Sequence, residues 1–316
     1  MSNPAQQHMN ALTVAQAAEL LRAGRVCAFP TETVYGLGGD ATNPDAVLSI
    51  YETKGRPRFN PLIIHCADLG MAQTLAEFSP LARRLATLWP GSLTIVLPAK
   101  PGNGLAGIAT AGLNTVGLRV PNHPLATKLL RTVGRPLAAP SANPSGKLSP
   151  TTTEQVWTGF GGRVPVLDGG PCQAGLESTI IRVDGDRLIQ LRAGALAREE
   201  IERALDVPVE LVAQGSAIAA PGMLASHYAP DAQIRLNAVP AQGEAYLAFG
   251  SAQPFEGPTR NLSESGNLRE AARNLFSMLH ELDAERAGVI AVAPIPQTGL
   301  GEAINDRLQR AAAPRN

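Results

Sequence analysis

The 316-residue chain is 44% hydrophobic and 17% charged, the balance of a globular protein with room for about two domains, which excludes a disordered chain. Its 27 basic and 27 acidic side chains cancel, which argues against a general polyanion-binding coat but permits a local basic site. Cys27, Cys66 and Cys172 are widely spaced and form neither a disulfide framework nor a zinc pattern, so a reducing cytoplasm is expected.

The opening stretch lacks a basic segment followed by an apolar core, so it does not read as a signal peptide, and no run approaches the ~20 apolar residues of a membrane span. Thr13, with Gln16 three residues on, predicts a capped helix that stops at Gly24. "VCAF" reads as a strand and "TETVYGLGGDATNP" as a loop. Within that loop the spacing of "GLGGDA" does not fit a dinucleotide fingerprint, and a tight turn using glycine at positive φ is expected instead. Asn43-Pro44 opens a second helix with Val47, Ile50 and Tyr51 on one face and Lys54 in its last turn. Then come a strand at "PLIIHC", a helix from Ser79-Pro80 to Pro90-Gly91, and strands at "SLTIVLPA" and "NTVGLRVP". "HPLATKLLRTVG" reads as a helix, "RPLAAPSAN" as a strand running into a polar loop, and "TTTEQVWTGF" as a short helix. "VPVLDGG", "ESTIIRVDG" and "RLIQLRAGA" read as successive strands, followed by a helix at "REEIERAL".

Strands and helices intermix without a clean βαβ period, which predicts a mixed, twisted sheet in an α/β or α+β domain over residues 1–205. Residues 206–230 lose periodicity and read as a linker. Residues 231–316 read as a small α/β unit, with strands at "GEAYLAFG" and "AGVIAVAPI" and helices near 267–283 and 301–312.

The densest chemistry lies in "KGRPRFNPLIIH" (54–65). Lys54 ends a helix, and Arg56 and Asn60 sit in a Gly/Pro-stiffened loop feeding a buried strand, so cations are held at a sheet edge where clefts form. Such groups suit phosphate oxygens, arginine through its bidentate fork, whereas Arg58 reads as solvated. "PSANPSGKLSPT" (140–151) offers hydroxyls, an amide and a lysine between prolines; by itself it reads as a turn, with a phosphate nest as the alternative. Ser178 stands at a strand entrance and Arg192 before a glycine turn, and either reads equally as surface chemistry. No Walker A, HExxH or GxSxG pattern is present, and five histidines scattered at 8, 65, 123, 227 and 280 argue against a histidine-centred metal site.

Taken together, "FPTETVYGLG", "KGRPRFNPLIIH", "WPGSLTIVL", "TVGLRVPNHP", "APSANPSGKLSPT", "GLESTIIRV" and "LRAGA" follow the order and rough spacing of the YrdC-like family, which the first two-thirds of the chain resembles. "PGMLASHYAP" and "GLGEAINDRLQRAA" resemble its two-domain members, the L-threonylcarbamoyladenylate synthases. The resemblance implies a twisted mixed sheet with flanking helices and a concave site, plus a small Rossmann-like C-terminal α/β domain. It implies that L-threonine, bicarbonate or CO2, and ATP with Mg²⁺ yield threonylcarbamoyl-AMP and pyrophosphate, for N6-threonylcarbamoyladenosine at position 37 of tRNA. No protein nucleophile is implied; catalysis would rest on positioning and electrostatics. Carried over residue by residue, the threonine pocket would be Thr33, His65, Arg119, Ala139 and Ser178, with Arg119 on the carboxylate. The ATP set would be Lys54, Arg56, Asn60, Thr115, Ser141, Asn143, Ser149 and Arg192, with Tyr228 of the linker folding back as a lid. Contact with tRNA or with the transferase that uses the product would follow, and no membrane. Two other readings are an RNA-binding module of the same fold without turnover, disfavoured by neutral charge and sparse aromatics, and a carbamoyl-adenylate enzyme like the related domain of hydrogenase maturation factors, disfavoured by Thr33, Arg119 and Ser178.

Overall fold

The computed structural model describes residues 11–212, 227–252 and 255–314. Alternation along the strands decides the architecture. The first sheet contains β1 (Cys27–Phe29), β2 (Gly36–Asp40), β3 (Ile63–His65), β4 (Leu93–Pro98), β5 (Thr115–Arg119), β6 (Leu137–Ala138), β7 (Thr179–Asp184), β8 (Arg187–Arg192) and β9 (Val209–Leu211). Their spatial order is β1-β2-β6-β3-β5-β4-β7-β8-β9. Pairing is mixed, parallel for β3 with β5, β4 with β7 and β8 with β9, and antiparallel elsewhere.

Successive strand residues face opposite sides, so one set, Ile64, Ile95, Leu118 and Ile181, enters the main core. That core is closed by Val47 and Ile50 of α2 (Pro44–Lys54), Ala72 of α3 (Leu69–Leu75), Leu81 and Leu85 of α4 (Pro80–Leu85), and Ile201 of α7 (Arg198–Leu205). The other set, Ile63, Val96, Ile180, Ile189 and Leu191, forms a small cluster made of strand residues alone. This second face carries the candidate site. A third cluster packs α1 (Val14–Arg22) and α5 (Pro124–Val133) beside β1, and α6 (Thr153–Phe160) closes the domain through Val156 and Phe160.

Helix boundaries follow their sequence signals. Thr13 and Gln16 form the capping box of α1; Asn43 caps α2 with Pro44 in its first turn, and Gly55 ends it in the left-handed conformation at φ 60°. Three features depart from the sequence reading. The "GLGGDA" run is strand β2 rather than a turn, and none of Gly36, Gly38 and Gly39 has positive φ. What requires glycine there is close approach: a Cβ on Gly38 would lie 2.7 Å from the Phe29 ring, and one on Gly39 3.0 Å from Ile50 Cδ1. "VPVLDGG" makes only a single bridge, Val166 to Ala28. The segment expected as a linker begins with β9, which pairs parallel with β8 and so extends the first sheet past residue 205. The rest of that segment up to residue 226, including "PGMLAS", lies outside the described residues.

The C-terminal unit is a four-stranded parallel sheet of β10 (Gln233–Arg235), β11 (Ala245–Ala248), β12 (Thr259–Asn261) and β13 (Val289–Val292), ordered β10-β13-β11-β12. It packs against α8 (Leu268–Ala284) and α9 (Leu300–Ala312) through Leu275, Phe276, Leu279, Ile304 and Leu308. Parallel strands need crossovers, and the one from β12 to β13 is made by α8. Its core also takes in Leu148, Leu176 and Tyr228, so the two units share apolar contacts. No helix among the described residues is long and apolar enough to cross a membrane.

Candidate active site

β3 and β5 run parallel with His65 opposite Arg119, and both side chains stand on the face away from the main core. Across them lie Ala139, just beyond β6, and Ser178, at the entrance of β7. With Thr33 from the loop before β2 these line one cavity of about 40 Å³. Arg56, Ser141, Arg192 and Tyr228 complete its wall. That volume leaves room for about three waters.

Some polar groups on this wall are held by specific partners, and two buried nitrogens are left open. Arg119 donates from Nη2 to Glu32 Oε1 at 2.7 Å, and Glu32 also accepts from Ser92 Oγ at 3.1 Å and the Asn122 backbone at 3.0 Å. The guanidinium is thereby fixed along one edge, while its buried Nε has no protein partner. A buried unsatisfied donor costs about 1–3 kcal/mol, which a ligand carboxylate would relieve. His65 packs edge-on against Phe29 at 6.1 Å, and its Nδ1 is likewise buried without a partner. Burial, with Arg119 nearby, pushes the imidazole down to about 3, so His65 is neutral at pH 7. Thr33 shares a 2.7 Å hydroxyl contact with Thr31, and Ser178 Oγ one of 2.8 Å with Thr94.

The cations expected on the nucleotide gather on one side. Lys54 Nζ donates to the Ser141 carbonyl at 2.6 Å and to the Asn143 carbonyl, tying α2 to the 140–151 loop. Burial, with Arg56 adding repulsion, pushes its ammonium well below the ordinary lysine value. Arg56 donates to the Asn60 and Pro61 carbonyls at 3.3 and 3.0 Å, and burial lowers its guanidinium to about 10. Arg192 donates to the Ser178 carbonyl at 2.7 Å. Asn60 is buried, with its Oδ1 lacking a partner. Arg58 is exposed, as its sequence context suggests.

The remaining expected residues lie farther out. Ser149 does not line the cavity but donates to Glu177 Oε1 at 2.6 Å. The Asn143 side chain holds its own loop, donating to the Pro144 and Lys147 carbonyls at 2.9 Å, and lines the groove between the units instead. Thr115 lines a second, smaller cavity with Pro61, Val96 and Gly117, separated from the first by Ile63. It lies on the same face of β5 as Arg119, four residues or about 13 Å away. Tyr228 is buried against Phe276 and His227, with φ 62°, a left-handed backbone that bulky residues rarely adopt. The backbone on either side is anchored: His227 N–H donates to the Arg310 carbonyl and Ala229 N–H to that of Gly146. Burial pushes His227 down to about 3.

The sequence reading missed the carboxylates. Glu32 and Glu177 both line or brace the cavity, and both lie inside motifs read for their hydroxyls and cations. The signal available was an acid within "PTET" and within "LEST" flanking the expected threonine contacts.

The family model for Sua5, YciO and YrdC proteins, described as "Telomere recombination", matches residues 19–194, and "Threonylcarbamoyl-AMP synthase, C-terminal domain" matches residues 196–313. The threonylcarbamoyl-AMP synthase of Bacillus subtilis is 40% identical over 324 residues, covering 96% of this chain and 93% of its own. That of Schizosaccharomyces pombe is 33% identical, covering 90% and 84%. The crystal structure of Pyrococcus abyssi Sua5 complexed with L-threonine superposes with a TM-score of 0.86 at 37% identity, covering 95% of this chain and 94% of that one.

Proposed function

We propose that this chain, which belongs to the Sua5/YciO/YrdC family and carries its C-terminal domain, is an L-threonylcarbamoyladenylate synthase acting in N6-threonylcarbamoyladenosine modification of tRNA. The observation that carries the reading is the convergence of Thr33, His65, Arg119, Ala139 and Ser178 on one small cavity, with Arg56, Ser141 and Arg192 on its wall. In this reading the open edge of Arg119 takes the threonine carboxylate, and Ala139 leaves room for the substrate. Thr33 and Ser178 orient polar groups, and neutral His65 closes one side without adding charge.

The chemistry asks little of the protein beyond placement. The threonine amine adds to CO2, losing a proton, and a carbamate oxygen attacks the α-phosphorus of ATP. The P–O bond to the β-phosphate breaks, and pyrophosphate leaves with the electron pair. Lys54, Arg56 and Arg192 stabilise charge on the phosphates, with Asn60, Ser141, Asn143 and Ser149 beside them and Thr115 in the adjoining smaller cavity. For Lys54 and Arg56, phosphate oxygens would replace the backbone carbonyls they now hold. ATP would enter as its magnesium complex, the ion offsetting charge on the triphosphate. Shielding the labile carbamate from water falls to Tyr228, which lines the cavity between the first sheet, extended to β9, and the unit at 231–316. Three buried free cysteines suit a reducing cytoplasm, and the product would pass to the tRNA-modifying transferase.

The test is pyrophosphate release measured with each substrate omitted in turn. Release that requires threonine, bicarbonate and ATP together is expected; release indifferent to threonine would rule the reading out.

A further inference from the structure

The largest fully buried side chain among the described residues belongs to Arg307, on α9 of the C-terminal unit, and its guanidinium crosses into the catalytic unit. Its Nε donates to Glu177 Oε2 at 2.9 Å and its Nη2 to the Ala193 carbonyl at 2.8 Å, while Nη1 holds Asp306. The guanidinium carbon also lies 5.2 Å from the centre of the Tyr228 ring. Glu177 lines the cavity and passes the contact on, its second oxygen accepting from Ser149 Oγ at 2.6 Å. Ala193 follows Arg192 directly, and its turn is pressed backbone to backbone against residues 177–179, where any Cβ on Gly194 would collide with Glu177 O and Thr179 N. One side chain from the second unit therefore touches the groups that fix Ser149, Arg192 and Tyr228.

Stability alone does not explain why a charged pair rather than apolar side chains fills this place. A buried ion pair recovers little more than its desolvation cost, and well-packed apolar residues of similar volume commonly do as well or better. What an arginine fork supplies beyond an apolar filler is direction: two fixed donors, one on a carboxylate and one on a carbonyl. We propose that Arg307 is a positioning residue of the nucleotide site, setting Ser149, Arg192 and Tyr228 through Glu177 and Ala193, so that the ATP site is complete only when the C-terminal unit is docked. This rests on the synthase reading and gives the second unit a role within it. The threonine side is anchored separately, by Glu32 on Arg119 and Thr94 on Ser178.

The test compares Arg307→Met, Arg307→Lys and the double variant Glu177→Gln/Arg307→Met, measuring ATP affinity by calorimetry, both KM values, and thermal unfolding. Arg307→Met should weaken ATP about tenfold or more while the threonine KM stays within about twofold, and Arg307→Lys should fall between it and the wild type. The double variant, which removes both charges of the pair together, should recover unfolding temperature but not ATP affinity. Recovery of both would make the pair merely structural and overturn the proposal. So would wild-type ATP affinity in Arg307→Met, a parallel loss of both substrates, or a double variant that fails to fold. Threonine-dependent turnover of the wild type is the control: its absence counts against the synthase reading, whereas ATP calorimetry still reads the Arg307 proposal.

Discussion

Replacing Arg119 by lysine separates the two jobs that the guanidinium performs. Arg119 and Glu32 are both nearly buried, at 5% and 9% side-chain exposure, and lie 2.7 Å apart. Deleting the cation outright, as in Arg119→Ala, strands a buried carboxylate and should cost about 3–5 kcal/mol of stability, confounding any kinetic reading. Lysine keeps a positive charge for Glu32 but has no second edge to offer a substrate carboxylate. The lost charged hydrogen bond is worth about 1.5–3 kcal/mol, which raises the threonine KM roughly ten- to hundredfold. ATP contacts arise from other elements, so the ATP KM should stay within about twofold. Pyrophosphate release with each substrate varied, alongside thermal unfolding, reads all three quantities. An unchanged threonine KM, or an ATP KM that rises in step with it, would refute the assignment of Arg119 to the carboxylate.

Acid sensitivity should begin early. His65 and His227 sit near 3 in the folded protein against an ordinary 6.5, so below about pH 6.5 the unfolded chain binds protons that the native state refuses. The stability they contribute is complete above that value and is lost as pH falls toward 3. For Glu177, burial alone would raise the carboxyl, but Arg307 and Arg192, with the Ser149 hydrogen bond, hold it at about 2, so its contribution is lost between its ordinary 4.5 and 2. Urea unfolding at stepped pH should show this slope, and His65→Gln should flatten it between 6.5 and 4.5; an unaltered slope contradicts the assignment. Gly38→Val should cost about 1–3 kcal/mol by driving a side chain into Phe29, read as a lower unfolding midpoint, and a neutral result would reject close approach as the reason for glycine there. Truncation after Val212, which spares β9, should impair turnover by removing Tyr228 and Arg307 together; full activity in steady-state assays would limit the C-terminal unit to a structural or docking role.

Elements with end signals were legible in the sequence. Thr13 with Gln16 and Asn43 with Pro44 marked helix starts that the structure reproduces, and the apolar runs of β4 and β7 marked strands. The short strands β9, β10 and β12, three residues each, offer too few positions for a period to register and lack the apolar run that marked the equally short β1 and β3. β2 was hidden because glycine there serves packing rather than chain reversal, and a glycine run looks the same in either case. Within the site, cations and hydroxyls could be read from local motifs. Their anionic partners could not, since Glu32 meets Arg119 across 87 residues and Glu177 meets Arg307 across 130, distances that only the folded sheet and the docked second unit close.

The most direct measurement is the mass of the adenylated product formed from threonine, ATP and bicarbonate carrying a heavy-carbon label. The account predicts a threonine-, bicarbonate- and ATP-dependent species with the mass of threonylcarbamoyl-AMP, heavier by the one labelled carbon. Pyrophosphate release accompanied by plain threonyl-AMP, or by a product without the label, would contradict it.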